Sequence, residues 1–193
     1  MKFIYLLLLS CLLSSCNIIL LLQLKEETDE SKTQVDRFTK RYKFDYHLFA
    51  DDSKSWLQKT KTYGINNDTS KYSYIQLRIF NRDGSLHSAY SQCMGDFNKR
   101  DFVDSFPLKK NDYPFINHQL TFKNELDLLI LDEESKKQML VNSVRFKYTY
   151  VVYYTIWTNY LSKHVLKEVS KIKAKHPNDV MVILVNTAKH KGK

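Results

Sequence analysis

The sequence predicts an α/β domain that follows an export and membrane-attachment segment, and three observations predict the fold class. Apolar and polar side chains alternate over residues 75–79, as they do in a half-buried strand. Continuous apolar runs at residues 148–157 and 180–185 are typical of strands buried on both faces. Between these runs, residues 161–175 carry apolar side chains at helical spacing. Strand and helix therefore alternate, as in an α/β sheet.

The composition fits one compact domain with appendages. The chain has 193 residues, of which 43% are hydrophobic, and its 13 Tyr and 11 Phe are ample for a packed core. Only 4 Gly and 3 Pro exclude collagen-like and Pro/Gly-rich disordered chains. Three cysteines are too few for a disulfide scaffold and show no zinc-ligand spacing. We attribute most of the net charge of +9 to a solvated surface.

The N-terminal segment has the features of an export signal. Lys2 precedes an apolar run of about ten residues and then a stretch of small residues. Within this stretch, Leu13-Ser14-Ser15-Cys16 resembles the lipobox of bacterial lipoproteins, which ends in an invariant cysteine. The resemblance implies that residues 1–16 comprise the signal peptide and lipobox, with cleavage before Cys16 and lipidation of its thiol. Cys11 has the weaker context, because Leu8 is bulky where the lipobox prefers a small or β-branched residue.

An alternative for this segment is an uncleaved membrane anchor. The apolar run resumes after Cys16, so residues 3–24 form a stretch of 22 residues. A helix of that length rises about 33 Å, which is enough to cross a bilayer. Both alternatives export the rest of the chain to the cell envelope, on the extracytoplasmic side of a membrane, in the periplasm or at the cell surface. Export argues against a nucleic acid partner, and the sequence has no nucleic-acid-binding motif.

The segment after the apolar run predicts a connection and then a mixed region. Residues 25–40 are polar and charged, and they predict a tether, partly helical, between membrane and domain. Residues 41–123 predict an α+β region. A first helix is expected to begin at a cap formed by residues 51–53 and to end before Gly64. A second, short helix or turn is expected at residues 101–106, ahead of a proline.

A β-hairpin is expected at residues 72–93. Its strands are the alternating segment around residues 75–79 and the return segment Leu86–Cys93. The sequence Asn81-Arg82-Asp83-Gly84 supplies the turn, because Gly84 can adopt a positive φ. A further short strand is expected at residues 118–122.

Residues 124–193 predict a β-α-β-α-β unit. The elements are expected as a strand at 124–131, a helix from Asp132 to about Ser143, and a strand, a helix and a strand at 148–157, 161–175 and 180–185. Acidic side chains at the start of the first helix are favourable for its dipole. This succession implies parallel pairing through right-handed crossovers.

This unit resembles a thioredoxin-like fold of the TlpA/ResA or peroxiredoxin kind. In that family a buried strand ends in Trp-Cys-x-x-Cys, an amphipathic helix follows, and the next strand has the pattern V-x-x-V-N. Trp157 falls on the family's Trp, and residues 182–186 match the later strand. Thr158 and Leu161 occupy the two cysteine positions, so the resemblance implies the fold without its redox chemistry. The unit is expected to be incomplete at its C-terminus unless the hairpin at 72–93 completes the sheet.

The resemblance also implies a binding site, since thioredoxin-like proteins bind extended peptides beside this turn. The expected contact residues for a protein or peptide partner are Trp157, Thr158, Asn159 and Tyr160. Core packing is the alternative for the aromatic residues of this region. No catalytic residue, cofactor or metal site is predicted, because the histidines are scattered without ligand spacing.

The remaining candidate is Cys93, the one cysteine expected in the mature soluble part. A lone thiol is either buried and inert or a reactive nucleophile. The sequence thus predicts a membrane-anchored lipoprotein, held by lipid on Cys16, whose redox-inactive thioredoxin-like domain binds a protein or peptide. The alternative is a thiol-dependent oxidoreductase or peroxidase that uses Cys93.

Overall fold

The computed structural model describes residues 29–50, 75–91, 106 and 120–188. The elements of these residues are α1 (Lys32–Thr39), β1 (Tyr46–Phe49), β2 (Gln76–Asn81), β3 (Leu86–Ser91), α2 (Phe122–Leu126), α3 (Glu133–Ser143), β4 (Tyr148–Tyr154), α4 (Tyr160–Lys175) and β5 (Val180–Asn186). The expected signal peptide, the helix after residues 51–53 and residues 101–105 lie outside the described residues, as do Cys11, Cys16 and Cys93.

The five strands form one mixed sheet in the order β1-β5-β4-β2-β3. β1, β5 and β4 run parallel to one another, whereas β2 pairs antiparallel with both β4 and β3. Val151 of β4, for example, lies between Ile183 of β5 and Arg78 of β2. The α/β class predicted from the sequence is therefore confirmed at the level of a mixed sheet with helices.

The helices cover both faces of the sheet. On one face, α1 and α4 pack on the side chains of Tyr150, Val152 and Tyr154. On the other face, α2 and α3 pack on the alternate residues Val151 and Tyr153. Successive residues of a strand point to opposite faces, so β4 contributes to both halves of the core. All seven of its residues are buried, as its continuous apolar sequence predicts.

The predicted hairpin is confirmed, and it lies beside the parallel strands. Its turn contains Gly84, which adopts φ +81°, and the Asp83 carboxylate accepts hydrogen bonds from the backbone N–H and the hydroxyl of Ser85. These bonds hold the pKa of Asp83 below its usual range. Through β2, the hairpin adds two antiparallel strands next to β4.

The strand expected at residues 124–131 is wrong, because helix α2 occupies its first part. Of the strand expected at 118–122, residues 118 and 119 lie outside the described residues, and Thr121 makes an isolated bridge to Ser85. Thr121 caps α2 in a reciprocal capping box with Asn124. Phe122 and Leu126 then lie one turn apart on the buried face of the helix. Leu129 makes only an isolated bridge to Ala50. The third parallel strand is β1, from the region where the sequence showed no clear period.

The later elements agree with their predictions. α3 begins after the N-cap Asp132, whose carboxylate accepts the backbone N–H of Ser135 at 2.7 Å. α4 buries Val165, Val169 and Ile172 against the sheet, and β5 follows it in parallel register with β4. The central strand ends at Tyr154, three residues earlier than expected, because a turn toward α4 begins there.

Part of the segment predicted as a tether belongs to the fold. α1 lies within it, and Ser31 and Gln34 form a capping box at the start of this helix. Val35 is buried against the sheet, and the hydroxyl of Thr39 donates to the carbonyl of Val35 at 2.9 Å. The described part of the expected tether, residues 29–40, therefore includes a helix with an apolar face in the core.

A buried ion pair crosses the core between β2 and α2. The Arg78 guanidinium donates to both carboxylate oxygens of Glu125, at 2.9 and 2.7 Å, and also to Oε1 of Gln76 at 3.0 Å. The hydroxyl of Tyr153 donates to the same Glu125 carboxylate, and its ring lies 4.9 Å from Cζ of Arg78. Arg78, Glu125 and Tyr153 are fully buried, so each polar group depends on the others for its hydrogen bonds.

We expect Glu125→Leu alone to lower the free energy of unfolding by about 3–5 kcal/mol, because it leaves the Arg78 charge buried without its carboxylate. Arg78→Met combined with Glu125→Leu should cost less than Glu125→Leu alone, since no uncompensated charge remains. Urea denaturation of the wild type, both single variants and the double variant measures the coupling. If the losses of unfolding free energy in the two single variants added up to the loss in the double variant, the interpretation of Arg78 and Glu125 as a coupled ion pair would be contradicted.

Candidate functional site

The C-terminal ends of the three parallel strands meet at one edge of the sheet, which is where α/β proteins most often bind ligands. The turn from β4 to α4, residues 155–159, lies at this edge. The backbone N–H of Thr187 donates to the carbonyl of Tyr154 at 3.0 Å. The backbone N–H of Ala50 donates to the carbonyl of Asn186 at 2.9 Å. These bonds hold the ends of β1, β5 and β4 together.

A cluster of buried hydroxyls lies inside the turn. The Thr158 hydroxyl donates to the carbonyl of Thr155 at 2.9 Å and lies 2.7 Å from the Ser162 hydroxyl. The Ser162 hydroxyl donates to the same carbonyl at 2.8 Å, and the Thr155 hydroxyl donates to Thr158 at 3.1 Å. The cluster therefore satisfies its own polar atoms, and no residue of it is a thiol.

Asn159, the last residue before α4, is held in a strained conformation. Its φ is +33° and its ψ is −88°, and it is the one non-glycine residue with positive φ in the described part of the chain. Its side chain makes no capping hydrogen bond to the helix. Backbone strain persists only where surrounding contacts impose it, and it concentrates at functional sites. Here the N–H of Asn159 donates to the carbonyl of Ile156 at 2.8 Å, which closes the turn.

The carboxylate of Glu30 closes the turn from outside. Its Oε1 accepts the backbone N–H groups of Ile156 and Trp157 at 2.5 and 3.0 Å, and its Oε2 accepts the side-chain amide of Asn186 at 2.7 Å. Asn186 in turn accepts the N–H of Ala188 at 3.2 Å. Glu30 is only 2% exposed, so the chain just before α1 is fixed to the edge of the sheet.

Burial raises the pKa of Glu30 above its ordinary value. The hydrogen bonds from Asn186, Trp157 and Ile156 favour the charged form, but they offset the loss of hydration only in part. Burial therefore outweighs the hydrogen bonds and favours the protonated carboxyl.

The structure separates the four expected contact residues into two pairs. Trp157 and Thr158 are buried, with exposed fractions of 8% and 4%, whereas Asn159 is half-buried. Tyr160 is 59% exposed, and its ring stacks on that of His164 at 6.5 Å between centroids. Only Asn159 and Tyr160 therefore offer surface for a partner. The tyrosines of β4 belong to the core, in agreement with the packing alternative.

Sequence reasoning missed Glu30, Asn186 and the hydroxyl partners Thr155 and Ser162. Asn186 carried a weak signal, because a polar residue ends an otherwise apolar strand. Glu30 carried none, since it is one of several acids in a polar segment and its partners are more than 120 positions away.

Within the described ranges, no group of three His, Cys, Asp or Glu side chains could hold a metal ion. The helices seen in those ranges include none that is long and apolar enough to cross a membrane. No family model, no curated protein and no solved structure matches the chain.

The raised pKa of Glu30 predicts a specific pH dependence. A carboxyl with a raised folded-state pKa contributes stability below its unfolded-state pKa, near 4.5, and loses that contribution as pH rises through the folded-state value. We therefore expect the unfolding free energy of the wild type, relative to Glu30→Gln, to fall as pH is raised from below 4.5. Urea denaturation over a pH series measures this difference.

The exposed acid Glu133 provides a control, since Glu133→Gln removes the same charge from the surface of α3. If the difference in unfolding free energy between the wild type and Glu30→Gln stayed constant or increased with pH, the raised pKa of Glu30 would be contradicted.

Proposed function

We propose that this protein is a membrane-anchored extracytoplasmic lipoprotein whose thioredoxin-like domain has no redox activity and binds a protein or peptide partner. The turn between β4 and α4 carries the proposal. It combines a buried hydroxyl cluster, which includes Thr158 at the position of the family's first cysteine, with the exposed aromatic side chain of Tyr160.

The strand arrangement supports the thioredoxin-like part of the proposal. A β-α-β unit of two parallel strands, β4 and β5, is flanked by a third parallel strand on one side and an antiparallel hairpin on the other. The hairpin precedes the unit in this chain, whereas in the family the last two strands follow it. The sheet thus has a hairpin beside β4, but the order of the elements along this chain differs from the order in the thioredoxin-like family.

The chemistry of the turn supports the absence of redox activity. Disulfide exchange requires a thiolate at the helix N-terminus and a second thiol that resolves the mixed disulfide. At the corresponding positions, Thr158 is buried with its hydroxyl bonded to Thr155 and Ser162, and Leu161 has no ionisable group. Neither side chain can form or resolve a mixed disulfide.

A binding role is supported by what the turn exposes. Tyr160 is one of the large hydrophobic residues that remain exposed in the described part of the chain, and tyrosine is enriched at protein interfaces. Tyr160 follows a backbone segment that the conformation of Asn159 and the hydrogen bonds to Glu30 hold rigid. The fold therefore fixes the position from which the ring extends. A preorganised aromatic contact binds a partner with little loss of conformational entropy.

Membrane attachment rests on Leu13–Cys16 and the apolar run around it. We expect Cys16→Ser to abolish incorporation of labelled palmitate and Cys11→Ser, the matched control, to retain it. The measurement is metabolic labelling followed by separation of membrane and soluble fractions. Label that persists in Cys16→Ser would contradict lipidation at this residue, and unlabelled wild type in the membrane fraction would favour the uncleaved anchor of residues 3–24.

Partner binding is tested with a photo-crosslinking amino acid in place of Tyr160. We expect a discrete adduct from this position in intact cells, because the side chain points into the contact. The matched control replaces Val144, which is similarly exposed after α3 on the opposite side of the sheet. Equal adducts from the two positions, or none from position 160, would contradict a contact at the turn.

A further inference from the structure

A cationic groove lies between α1 and the start of α4, beside the turn described above. It has a volume of about 640 Å³, and its lining residues are Gln34, Arg37, Phe38, Lys40, Arg41, Ile156 and Lys163. Four of these residues carry a positive charge at neutral pH, and none carries a negative charge. The groove therefore favours an anionic ligand.

The ring of Phe38 organises two of the charges. Cζ of Arg41 and Nζ of Lys163 each lie 5.9 Å from its centroid, and the ring itself stacks on Tyr154 of the central strand at 6.1 Å. Such contacts hold a cation over an aromatic face without neutralising it. Phe38 therefore holds the cationic groups of Arg41, just after α1, and of Lys163, in α4, around one aromatic ring.

The charges of the groove are not compensated within the described part of the chain. There, no carboxylate lies within salt-bridge distance of Arg37, Lys40, Arg41 or Lys163. Asp36 is outside the lining of the groove, although it shares a neighbouring surface pocket with Arg37 and Lys40. Like charges held together raise the free energy of the domain, so an anion that binds between them is favoured.

The position of α1 along the chain indicates which anion is nearby. The apolar run ends at Leu24, and only four residues separate it from Asp29, the first described residue. Since a residue spans at most about 3.6 Å, Asp29 lies within about 18 Å of the end of the apolar run and within about 47 Å of a lipid on Cys16. Glu30, which follows Asp29, is fixed to the sheet by its hydrogen bonds. The groove is therefore held close to the end of the apolar run.

We propose that the groove between α1 and α4 binds the anionic headgroup of a phospholipid in the membrane that carries the protein. This inference rests on the membrane attachment proposed above. The phosphate lies among Arg37, Lys40, Arg41 and Lys163, while Phe38 and Ile156 contact the apolar part of the lipid. Cations are attracted to an anionic membrane surface within a Debye length, about 8 Å at physiological salt, and a connection of this length lets the groove reach that range.

The test uses the full chain in vesicles of phosphatidylcholine alone or mixed with phosphatidylglycerol. The probe is the rate at which an amine-reactive reagent acylates Lys163, read by mass spectrometry, with the exposed Lys137 on the opposite face of the sheet as internal reference. We expect phosphatidylglycerol to slow acylation of Lys163 about fivefold relative to Lys137, and high salt to reverse the protection.

Charge reversal at the groove should remove this protection. Arg37→Glu with Lys40→Glu is expected to reduce it about fivefold or more, because both side chains are exposed lining residues. Lys123→Glu with Arg145→Glu, two exposed residues outside the groove, is the matched control: it keeps the Lys137 reference and should leave Lys163 protected. Equal slowing of Lys163 and Lys137 in the wild type, or protection that survives Arg37→Glu with Lys40→Glu, would overturn the proposal.

Two further outcomes separate the sources of failure. A chain that floats with phosphatidylcholine vesicles but shows no protection by phosphatidylglycerol is anchored and lacks the headgroup site, so the groove proposal alone fails. A chain that does not float with phosphatidylcholine contradicts the anchor, and protection of Lys163 by phosphatidylglycerol still supports the groove. Protection by soluble glycerol phosphate equal to that by vesicles at the same phosphate concentration would overturn a lipid ligand in favour of a free anion.

Discussion

The burial of β4 on both faces is the constraint on which the described fold depends. All seven residues of β4 are buried, so the strand needs a hydrogen-bonded neighbour along each edge and a helical layer on each face. The alternating side chains of the strand also carry hydroxyls into the core. Tyr153 donates to Glu125, and the charge of Glu125 in turn requires Arg78. One apolar strand thereby determines where the buried polar groups must lie.

The same constraint shapes the turn at the end of β4. Because the strand enters the turn from a closed core, the polar groups just beyond Tyr154 are buried and must be satisfied locally. The hydroxyls of Thr158 and Ser162 share the carbonyl of Thr155, and Glu30 accepts two backbone N–H groups. The hydroxyls inside the turn are thus satisfied by one another and by the carbonyl of Thr155, so recognition by the turn uses the surface around them.

The sequence predicts β4, β5, α3, α4 and the hairpin because their periodicity is strong and their ends carry turn or capping residues. It fails at residues 124–131, where a leucine-rich run fits a buried strand and a short buried helix equally well, and where the cap at Thr121 decides for the helix. β1 has four residues and too short a pattern to recognise. The Glu30 contact joins distant segments, which local pattern cannot reveal.

The Glu30 contact also determines where the described chain enters and leaves the domain. Glu30 binds Asn186, and Asn186 binds the backbone of Ala188, so the first and last described residues meet at the same edge of the sheet. The turn at Gly84 lies at the other edge, beside the beginning of β4. Adjacent ends are the geometry that tolerates circular permutation. A linker between residues 29 and 188, with a new break at the hairpin turn, would therefore leave the described strand pairings in place.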